Sequence, residues 1–248
     1  MPGAPGAYID KLREWIAGSG NIVFFGGAGV STESGIPDFR SVDGLYSQKY
    51  AYPPEEILSR SFFMSRPAEF YKFYREKILV QGVAPNKAHT ALAKLEERGK
   101  LRAVVTQNID GLHQAAGSRR VFELHGSTHR NYCMGCGARY GFDFMLGGLG
   151  GVPKCTKCGG TVRPDVVLYE EPLDTETVNG AARSIRGADM LIVGGTSLVV
   201  YPAAGLVDLY AGDKLALINK SPTARDGAAD LLISGSIGEI LEEATNFI

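Results

Sequence analysis

Short apolar runs alternate with amphipathic stretches along most of the chain. Several of these runs are too continuous for strands with one face in water, so they predict strands that are buried on both faces. The predicted strands are 21–25, 102–106, 121–124, 164–169, 189–194, 214–219 and 230–233. The amphipathic stretches between them predict helices over 7–18, 86–98, 110–116, 174–186, 202–211 and 237–246. This alternation is typical of an α/β domain with a doubly wound, mostly parallel sheet.

Two stretches depart from the alternation. Residues 41–83 contain no strand-like run and predict two helices, over 54–61 and 67–80. Residues 130–163 are rich in glycine and cysteine and carry five basic residues against one aspartate. We expect these two insertions to form a small second lobe on a discontinuous main domain, which consists of residues 1–40, 84–129 and 164–248.

Composition and charge narrow the class of protein. Hydrophobic residues make up 44% of the 248 residues and charged residues 21%, which is the ordinary globular range. Lys and Arg number 26 against 27 Asp and Glu, so the chain lacks the positive field of a nucleic-acid binder. The longest apolar run, 22–30, is far shorter than the roughly 18 residues of a membrane span, and the N-terminus does not resemble a secretory signal. We expect a cytoplasmic protein with neither membrane nor direct nucleic-acid partners.

The four cysteines have the spacing of a zinc ribbon. Cys133 and Cys136 form one C-x2-C pair, Cys155 and Cys158 form another, and 18 residues separate the pairs. Four thiolates complete a tetrahedral zinc site and leave no open position for substrate. We therefore predict one structural zinc ion.

A glycine-rich turn, 26–29, follows the first predicted strand. Its glycines would let backbone amides approach a pyrophosphate, as in dinucleotide-binding sites. The dehydrogenase pattern G-x-G-x-x-G fails, however, because Thr32 stands at the third glycine. From these residues alone, both phosphate binding and a merely tight turn are open. Phe39, just downstream, either covers a cofactor ring or packs in the core.

Polar residues follow later strands at the edge where α/β sheets bind ligands. Gln107, Asn108 and Asp110 follow the second predicted strand, although helix capping would also explain Asn108 or Asp110. Thr196 and Asn219 end two further strands. Together they suggest a polar site at this edge.

The four histidines differ in their surroundings. His125 ends the third predicted strand and precedes a glycine, so it is the best candidate for a general base at neutral pH. We expect His89 to cap or pack a helix and His113 to be a hydrogen-bonded core residue. His129 is a candidate for a group that supports the cysteine site.

Taken together, these residues resemble the sirtuin family, the NAD-dependent protein deacylases. The matching segments follow the family order and are 27–31, 34–40, 107–110, 125–126, the two cysteine pairs, 195–197 and Asn219. The chain departs from the family at Gly26, where many members have Thr or Ser, and at 168–171, where several have an aromatic-Gly-Glu ending. The resemblance implies a Rossmann-like domain and a small lobe of a zinc ribbon (130–163) and a helical module (41–83), with the active site between them.

The resemblance also implies a reaction and a role for each matching residue. NAD would be the co-substrate, the substrate would be acetyl-lysine in proteins or peptides, and the products would be nicotinamide, lysine and O-acetyl-ADP-ribose. His125 would be the base, Asn108 would position water or ribose, and Val166 and Val167 would pair with the peptide backbone. The implied NAD contacts are Ala28, Thr32, Phe39, Arg40, Gln107, Ile109, Asp110, Thr196, Ser197, Asn219 and Ile237.

One predicted helix bears on which acyl group the enzyme would remove. Relatives that remove acidic acyl groups carry Tyr-x-x-Arg, whereas this chain has Tyr71-x-x-Tyr74. Arg75 is about 100° further around the helix and should face away, so we expect preference for neutral acyl groups, acetyl first.

Two other functions compete with deacetylation. A mono-ADP-ribosyltransferase would use the same NAD site, but the presence of both Asn108 and His125 favours deacetylation. A zinc-dependent nucleic-acid binder would explain the basic cysteine stretch, but the net charge of −1 argues against it.

Overall fold

A computed structural model describes residues 5–39, 44, 51–147 and 151–247. The strands within these residues are β1 (Ile22–Gly26), β2 (Leu101–Thr106), β3 (Val121–Glu123), β4 (Gly126–Cys133), β5 (Arg139–Tyr140), β6 (Val162–Val166), β7 (Met190–Gly194), β8 (Leu215–Asn219) and β9 (Leu231–Ser234). The α-helices are α1 (Pro5–Gly18), α2 (Pro54–Ile57), α3 (Arg60–Ser65), α4 (Pro67–Phe73), α5 (Lys87–Glu97), α6 (Leu112–Ala115), α7 (Phe142–Leu146), α8 (Thr175–Arg186) and α9 (Ile237–Thr245). Strands β1–β3 and β7–β9 form one parallel sheet, and β4–β6 form a small antiparallel sheet.

The parallel sheet has the order β3-β2-β1-β7-β8-β9. The chain moves outward from β1 to β3, returns to the other side of β1 with β7, and moves outward again to β9. This reversal opens a crevice beyond the carboxyl ends of β1 and β7, where Gly26 and Gly194 are paired in register. In doubly wound sheets such a crevice is the usual ligand site.

The central strand β1 shows why its sequence is continuously apolar. Ile22 and Phe24 belong to the core that packs with α1, α5 and α9. Val23 and Phe25 belong to the core on the opposite face, which packs with α8 and with the 3-10 segment Ala203–Leu209. Because both faces are covered, neither set of alternate positions can be polar.

Six of the seven predicted strands lie in the parallel sheet, and one does not. The predicted strand 164–169 corresponds to β6, which pairs antiparallel with β4 in the small sheet. Strand β4 itself was not predicted, because Ser127, Thr128 and Asn131 are polar and yet buried. Backbone hydrogen bonds to β6 hold β4 in the sheet, so this strand forms without a run of apolar residues.

Three predicted helices differ in detail. The helix 54–61 is two helices, because the Ser59 hydroxyl accepts a hydrogen bond from the Phe62 amide at 3.2 Å and starts α3. The helix 67–80 is α4 followed by a π-helical turn, Tyr74–Ile78. The helix 202–211 is the 3-10 segment Ala203–Leu209.

The two insertions share one hydrophobic core. Phe63 and Phe70 of the helical insertion pack in the same buried cluster as Met145 and Val162 of the cysteine-rich insertion. The antiparallel sheet extends beyond residues 130–163 at both ends, from Gly126 to Val166. The sequence-based domain boundaries stay a prediction, and residues 41–43 and 45–50 lie outside the described part of the chain.

Candidate active site

A cavity of about 950 Å³ lies at the carboxyl ends of β1 and β7, and residues of the small lobe line its far side. Its volume is at the upper end of the range for small-molecule and cofactor sites, about 300 to 1,000 Å³. Most of the residues predicted to act on ligands line it together, although they come from distant parts of the chain. They are Ala28, Thr32, Phe39, Gln107, Asn108, Ile109, Asp110, His125, Val166, Val167, Thr196, Ser197, Asn219 and Ile237. Arg40, the remaining predicted NAD contact, lies outside the described residues.

The glycine turn after β1 packs tightly against the turn after β7. The Gly29 amide donates to the Gly195 carbonyl at 2.8 Å. A Cβ atom at Gly29 would lie 2.9 Å from Gly195, and one at Gly195, where φ is +60°, would lie 2.4 Å from the Val30 amide nitrogen. Close packing of the two turns therefore explains why these positions are glycine, and Gly29 and Gly195 line the cavity together with Ala28 and Thr32.

A buried polar network joins the same turn to the end of β2. The Ser31 hydroxyl donates to Asp110 Oδ2 at 2.7 Å and accepts from Asn108 Nδ2 at 3.0 Å. Asp110 Oδ1 accepts from the Leu112 amide at 2.9 Å, so it also caps α6. The sequence predicted Asn108 and Asp110 but not Ser31, which is 1% exposed and connects them. The network fixes the orientation of both side chains.

A second network joins β2, β7 and β8. The Asn219 side chain accepts from the Thr196 amide at 3.1 Å and donates to the Thr196 carbonyl at 2.6 Å. Gln107 Nε2 donates to the Thr196 hydroxyl at 3.0 Å. These side chains therefore hold the cavity wall in place as well as facing it.

His125 is held as a neutral imidazole, and no described residue hydrogen-bonds to its second ring nitrogen. Its Nδ1 lies 3.0 Å from the Gln107 carbonyl oxygen, which can only accept, so Nδ1 carries the hydrogen and Nε2 carries the lone pair. Burial lowers the pKa of His125, and the bond to the Gln107 carbonyl partly opposes that effect. A neutral imidazole with an available Nε2 is competent as a general base.

The residue after His125 has to be glycine. Gly126 has φ +77°, and a Cβ there would lie 2.0 Å from the Asp165 carbonyl oxygen of β6. The Val167 amide also donates to the His125 carbonyl at 3.0 Å. Strand β6 and the chain after it are therefore in direct backbone contact with the candidate base.

The other histidines have different roles. His89 completes a capping box at the start of α5, where its Nδ1 accepts from the Asn86 amide at 3.2 Å, as predicted. The prediction for His113 was wrong: it is buried, but neither ring nitrogen has a hydrogen-bond partner among the described residues. Its ring centroid lies 4.7 Å from that of His89, and burial, with the His89 charge second, lowers the pKa of His113 to about 3. Both rings are thus neutral near pH 7, His89 as a helix cap and His113 as a packing group.

His129 does not contact a cysteine. Its Nε2 lies 3.0 Å from the Asp110 carbonyl oxygen, and its ring stacks on Phe142 with centroids 5.1 Å apart. The suggested role in support of the metal site is therefore wrong, and the side chain lines the cavity instead.

The four cysteines fit a zinc ion. All four Sγ atoms lie within 4.8 Å of one another, with Cys133 to Cys158 at 3.4 Å and Cys136 to Cys155 at 3.6 Å. A tetrahedron with Zn–S bonds of about 2.3 Å has edges of about 3.8 Å. The Gly135 amide donates to Cys133 Sγ at 3.3 Å, which orients one ligand of the site. None of the four lines the cavity, as expected for a structural site.

The helix that bears on acyl preference and the π-helical turn after it place Tyr74 and Lys77 at the cavity, but not Arg75. Tyr74 lines the cavity and is buried, and its hydroxyl has no hydrogen-bond partner within the described residues. Arg75 turns away, and its Nε donates to the Met145 carbonyl of α7 at 2.9 Å. The Tyr71 hydroxyl donates to the Val162 carbonyl of β6 and does not line the cavity.

Comparisons with known proteins agree with this geometry. The model of the Sir2 family matches residues 27–202. NAD-dependent protein deacetylases of Clostridium acetobutylicum and Clostridium perfringens are 59% and 61% identical over 94% of this chain and 96% of their own. A solved structure of a Sir2 protein with a deacetylated p53 peptide and 3′-O-acetyl-ADP-ribose matches with a TM-score of 0.88 and 38% identity. That match covers 96% of this chain and 98% of the other.

Proposed function

Because the chain belongs to the Sir2 family and is an NAD-dependent protein deacetylase, we propose that its cavity holds NAD and an acetylated lysine together, with His125 as the general base. The reaction releases nicotinamide and forms O-acetyl-ADP-ribose. The observation that carries the proposal for the site is the partly buried, neutral His125, which offers Nε2 to the cavity shared by the other predicted residues.

His125 takes a proton at Nε2 from a ribose hydroxyl. Its Nδ1–H stays on the Gln107 carbonyl, which holds the ring in place and stabilises the positive charge that develops. Asn108 is held by Ser31, so its side chain is oriented before substrate arrives and positions water or ribose. Preorganised groups of this kind lower the barrier because they need not rearrange during the reaction.

NAD, when bound, supplies the electrophilic ribose carbon and a nicotinamide leaving group. The residues proposed to hold NAD have the side chains that a dinucleotide requires. Small side chains and hydroxyls would lie near the phosphates, amides near the ribose, and apolar groups near the bases. Asp110 and Ile109 would recognise the carboxamide, and Phe39 would exclude water from the reacting carbon. The remaining proposed contacts are Ala28, Thr32, Arg40, Gln107, Thr196, Ser197, Asn219 and Ile237.

The acetylated peptide is proposed to lie along the chain after β6. Val166 and Val167 line the cavity at this point. The Val167 amide is already used by the His125 carbonyl, so the Val167 carbonyl is the group proposed to accept from the peptide backbone. Acetylated lysine in proteins or peptides is the proposed substrate class.

Zinc is bound by Cys133, Cys136, Cys155 and Cys158 and has a structural role. It holds the cysteine-rich insertion against the helical one, since Cys133 and Cys155 belong to their shared core. No described helix combines the length and apolar character that crossing a bilayer requires. The cytoplasmic location and the lack of membrane and nucleic-acid partners stay proposals, which the cysteine chemistry and the net charge of −1 support.

Mass spectrometry of a reaction with NAD and an acetyl-lysine peptide tests the proposal. We expect deacetylated peptide, nicotinamide and O-acetyl-ADP-ribose in equal amounts, with no deacetylation when NAD is omitted. ADP-ribosylated protein without O-acetyl-ADP-ribose would instead identify a mono-ADP-ribosyltransferase. Absorbance of NADH during turnover would also contradict the proposal, because the cofactor should be consumed and not reduced.

A further inference from the structure

Glu170 adopts a backbone conformation that favours glycine. Its φ is +74°, and among the residues that the structure describes only Glu170 and Leu198 are non-glycine residues with positive φ. A side chain in this region is strained unless its surroundings hold it there. Glu170 lines the cavity, and Ser197 and Val200 beside Leu198 do so as well.

The Glu170 carboxylate makes two hydrogen bonds to one residue of the small lobe. Oε2 accepts from the Ser61 amide at 2.9 Å, and Oε1 accepts from the Ser61 hydroxyl at 2.8 Å. Ser61 lies in α3, more than 100 positions earlier in the sequence. The contact therefore connects the chain after β6 to the helical insertion.

The residues on either side of Glu170 reinforce the same connection. Before it, the Tyr169 amide donates to the Leu58 carbonyl and the Arg60 amide donates to the Tyr169 carbonyl, both at 3.0 Å. After it, Glu171 forms an ion pair with Arg60 of α3, with 3.9 Å between Oε1 and Nε, and accepts from Arg163 of β6 at 2.7 and 2.9 Å. Three consecutive residues thus attach the end of this segment to the lobe, and Glu170 is the one that does so at the cost of an unfavourable φ.

We propose that Glu170 is a positioning residue for the acetyl-lysine peptide, which it serves by holding Val166 and Val167 at a set distance from the helical insertion. This inference rests on the proposed function, because it takes these valines as the peptide wall. The Val167 amide is bonded to the His125 carbonyl, so the same contact also sets where the peptide lies relative to the base. NAD is held mainly by the turns after β1, β2 and β7, so loss of the Glu170 contact should change NAD affinity little.

Two substitutions of Glu170 distinguish the effect of its hydrogen bonds from the effects of its charge and of its backbone strain. Glu170→Gln keeps an acceptor for the Ser61 amide and a donor for its hydroxyl, but removes the charge. Glu170→Gly removes both bonds and relieves the positive φ, so it should not reduce the melting temperature. Loss of function in the glycine variant alone would therefore come from lost positioning and not from misfolding.

Asp174 provides a matched control. Its Oδ1 accepts from the Thr177 amide at 2.8 Å and from the Thr177 hydroxyl at 2.7 Å, the same pair of bonds that Glu170 makes to Ser61. These bonds cap α8 locally, and Asp174 does not line the cavity. Asp174→Gly therefore removes an equivalent contact that joins no two parts of the site.

The experiment measures KM and kcat for an acetyl-lysine peptide, KM for NAD, and the dissociation constant of the peptide by calorimetry. For Glu170→Gly we expect peptide KM and dissociation constant to rise about three- to tenfold, which corresponds to the net contribution of an ordinary hydrogen bond. NAD KM should stay within about twofold, and Glu170→Gln and Asp174→Gly should match the wild type within the same margin. In a Ser61→Ala background the effect of Glu170→Gly should shrink, because the two residues act through one contact.

Other outcomes would overturn the inference. Unchanged peptide affinity in Glu170→Gly would do so, as would equal loss in Glu170→Gln or a parallel rise in NAD KM. Absence of NAD-dependent deacetylation by the wild type would instead contradict the proposed function. Peptide affinity measured by calorimetry distinguishes the two failures, because it does not require turnover.

Discussion

The carbonyl oxygen of Gln107 lies 3.0 Å from Nδ1 of His125, and this contact decides which nitrogen of the imidazole faces the cavity with a lone pair. Gln107 follows β2 and His125 follows β3, and the two strands are neighbours in the parallel sheet. The register of the sheet therefore sets the tautomer of the candidate base.

Replacing the base should abolish most of the deacetylation. His125→Ala removes Nε2, so we expect kcat/KM for an acetyl-lysine peptide to fall by about 10²- to 10⁴-fold. NAD should still bind, since the turns after β1 and β7 do not depend on this side chain, and calorimetry measures that. His125→Asn, which can still donate to the Gln107 carbonyl, should lose as much activity. Full activity in either variant would rule out His125 as the base.

The acid limb of the pH profile should lie below the ordinary histidine value. Burial lowers the pKa of His125, so its neutral, active form persists to lower pH than that of an exposed histidine. We expect kcat/KM to fall with decreasing pH at an apparent pKa below about 6.5. The measurement uses a peptide that has no titrating group near the acetyl-lysine. An acid limb with an apparent pKa above about 6.5 would contradict a buried environment for the base.

The buried histidine pair should make the protein sensitive to acid. Burial lowers the pKa of His89 to about 4 and that of His113 to about 3, so the unfolded chain takes up protons that the folded chain does not. Above about pH 6.5, the pKa of a histidine in the unfolded chain, the two histidines do not change the free energy of unfolding. As the pH falls from about 6.5 toward 4 and 3, they reduce it. Well below pH 6.5, each should cost roughly 1.4 kcal/mol per pH unit.

Urea unfolding of the wild type and of His113→Leu at pH 7, 6 and 5 measures this effect. Release of zinc at low pH affects both proteins alike, so the difference in slope reports the histidine. We expect a shallower loss of unfolding free energy in the variant. Identical slopes would show that His113 does not cause the acid sensitivity.

Removal of zinc should cost structure and activity together. All four ligands are thiolates, and two of them lie in the core shared by the two insertions. Such sites contribute about 10 to 16 kcal/mol to folding, so we expect a chelator or Cys136→Ser to lower the melting temperature and eliminate deacetylation. Zinc-free protein with a native melting temperature would contradict the structural role.

The acyl preference should favour neutral groups. Tyr74 lines the cavity, while Arg75 is bonded to the Met145 carbonyl, so an acidic acyl group beside Tyr74 would lose its hydration without pairing with Arg75. We expect kcat/KM for an acetyl-lysine peptide to exceed that for the succinyl version of the same peptide. Tyr74→Phe should not reverse that order, and a higher value for the succinyl peptide in the wild type would overturn the prediction.

The sequence by itself determined the parallel sheet, the cysteine site and a group of polar residues at strand ends that line the cavity. A strand buried on both faces must be apolar at every position, as Ile22 to Phe25 are, so its own residues reveal it. The two C-x2-C pairs are equally local, because each pair occupies one tight turn. The polar residues at strand ends were predicted to meet because parallel strands bring their carboxyl ends to one edge of the sheet.

Only the tertiary structure decided the features that depend on distant partners. Strand β4 is polar and buried, and its pairing with β6 could not be predicted from its own residues. Ser31 joins Asn108 to Asp110, and Ser61 binds Glu170 at its positive φ, through contacts between residues far apart in the sequence. A hydrophobic pattern reports how much of a segment is buried, whereas a hydrogen bond needs a particular partner at a particular distance, and that partner is decided only when the chain has folded.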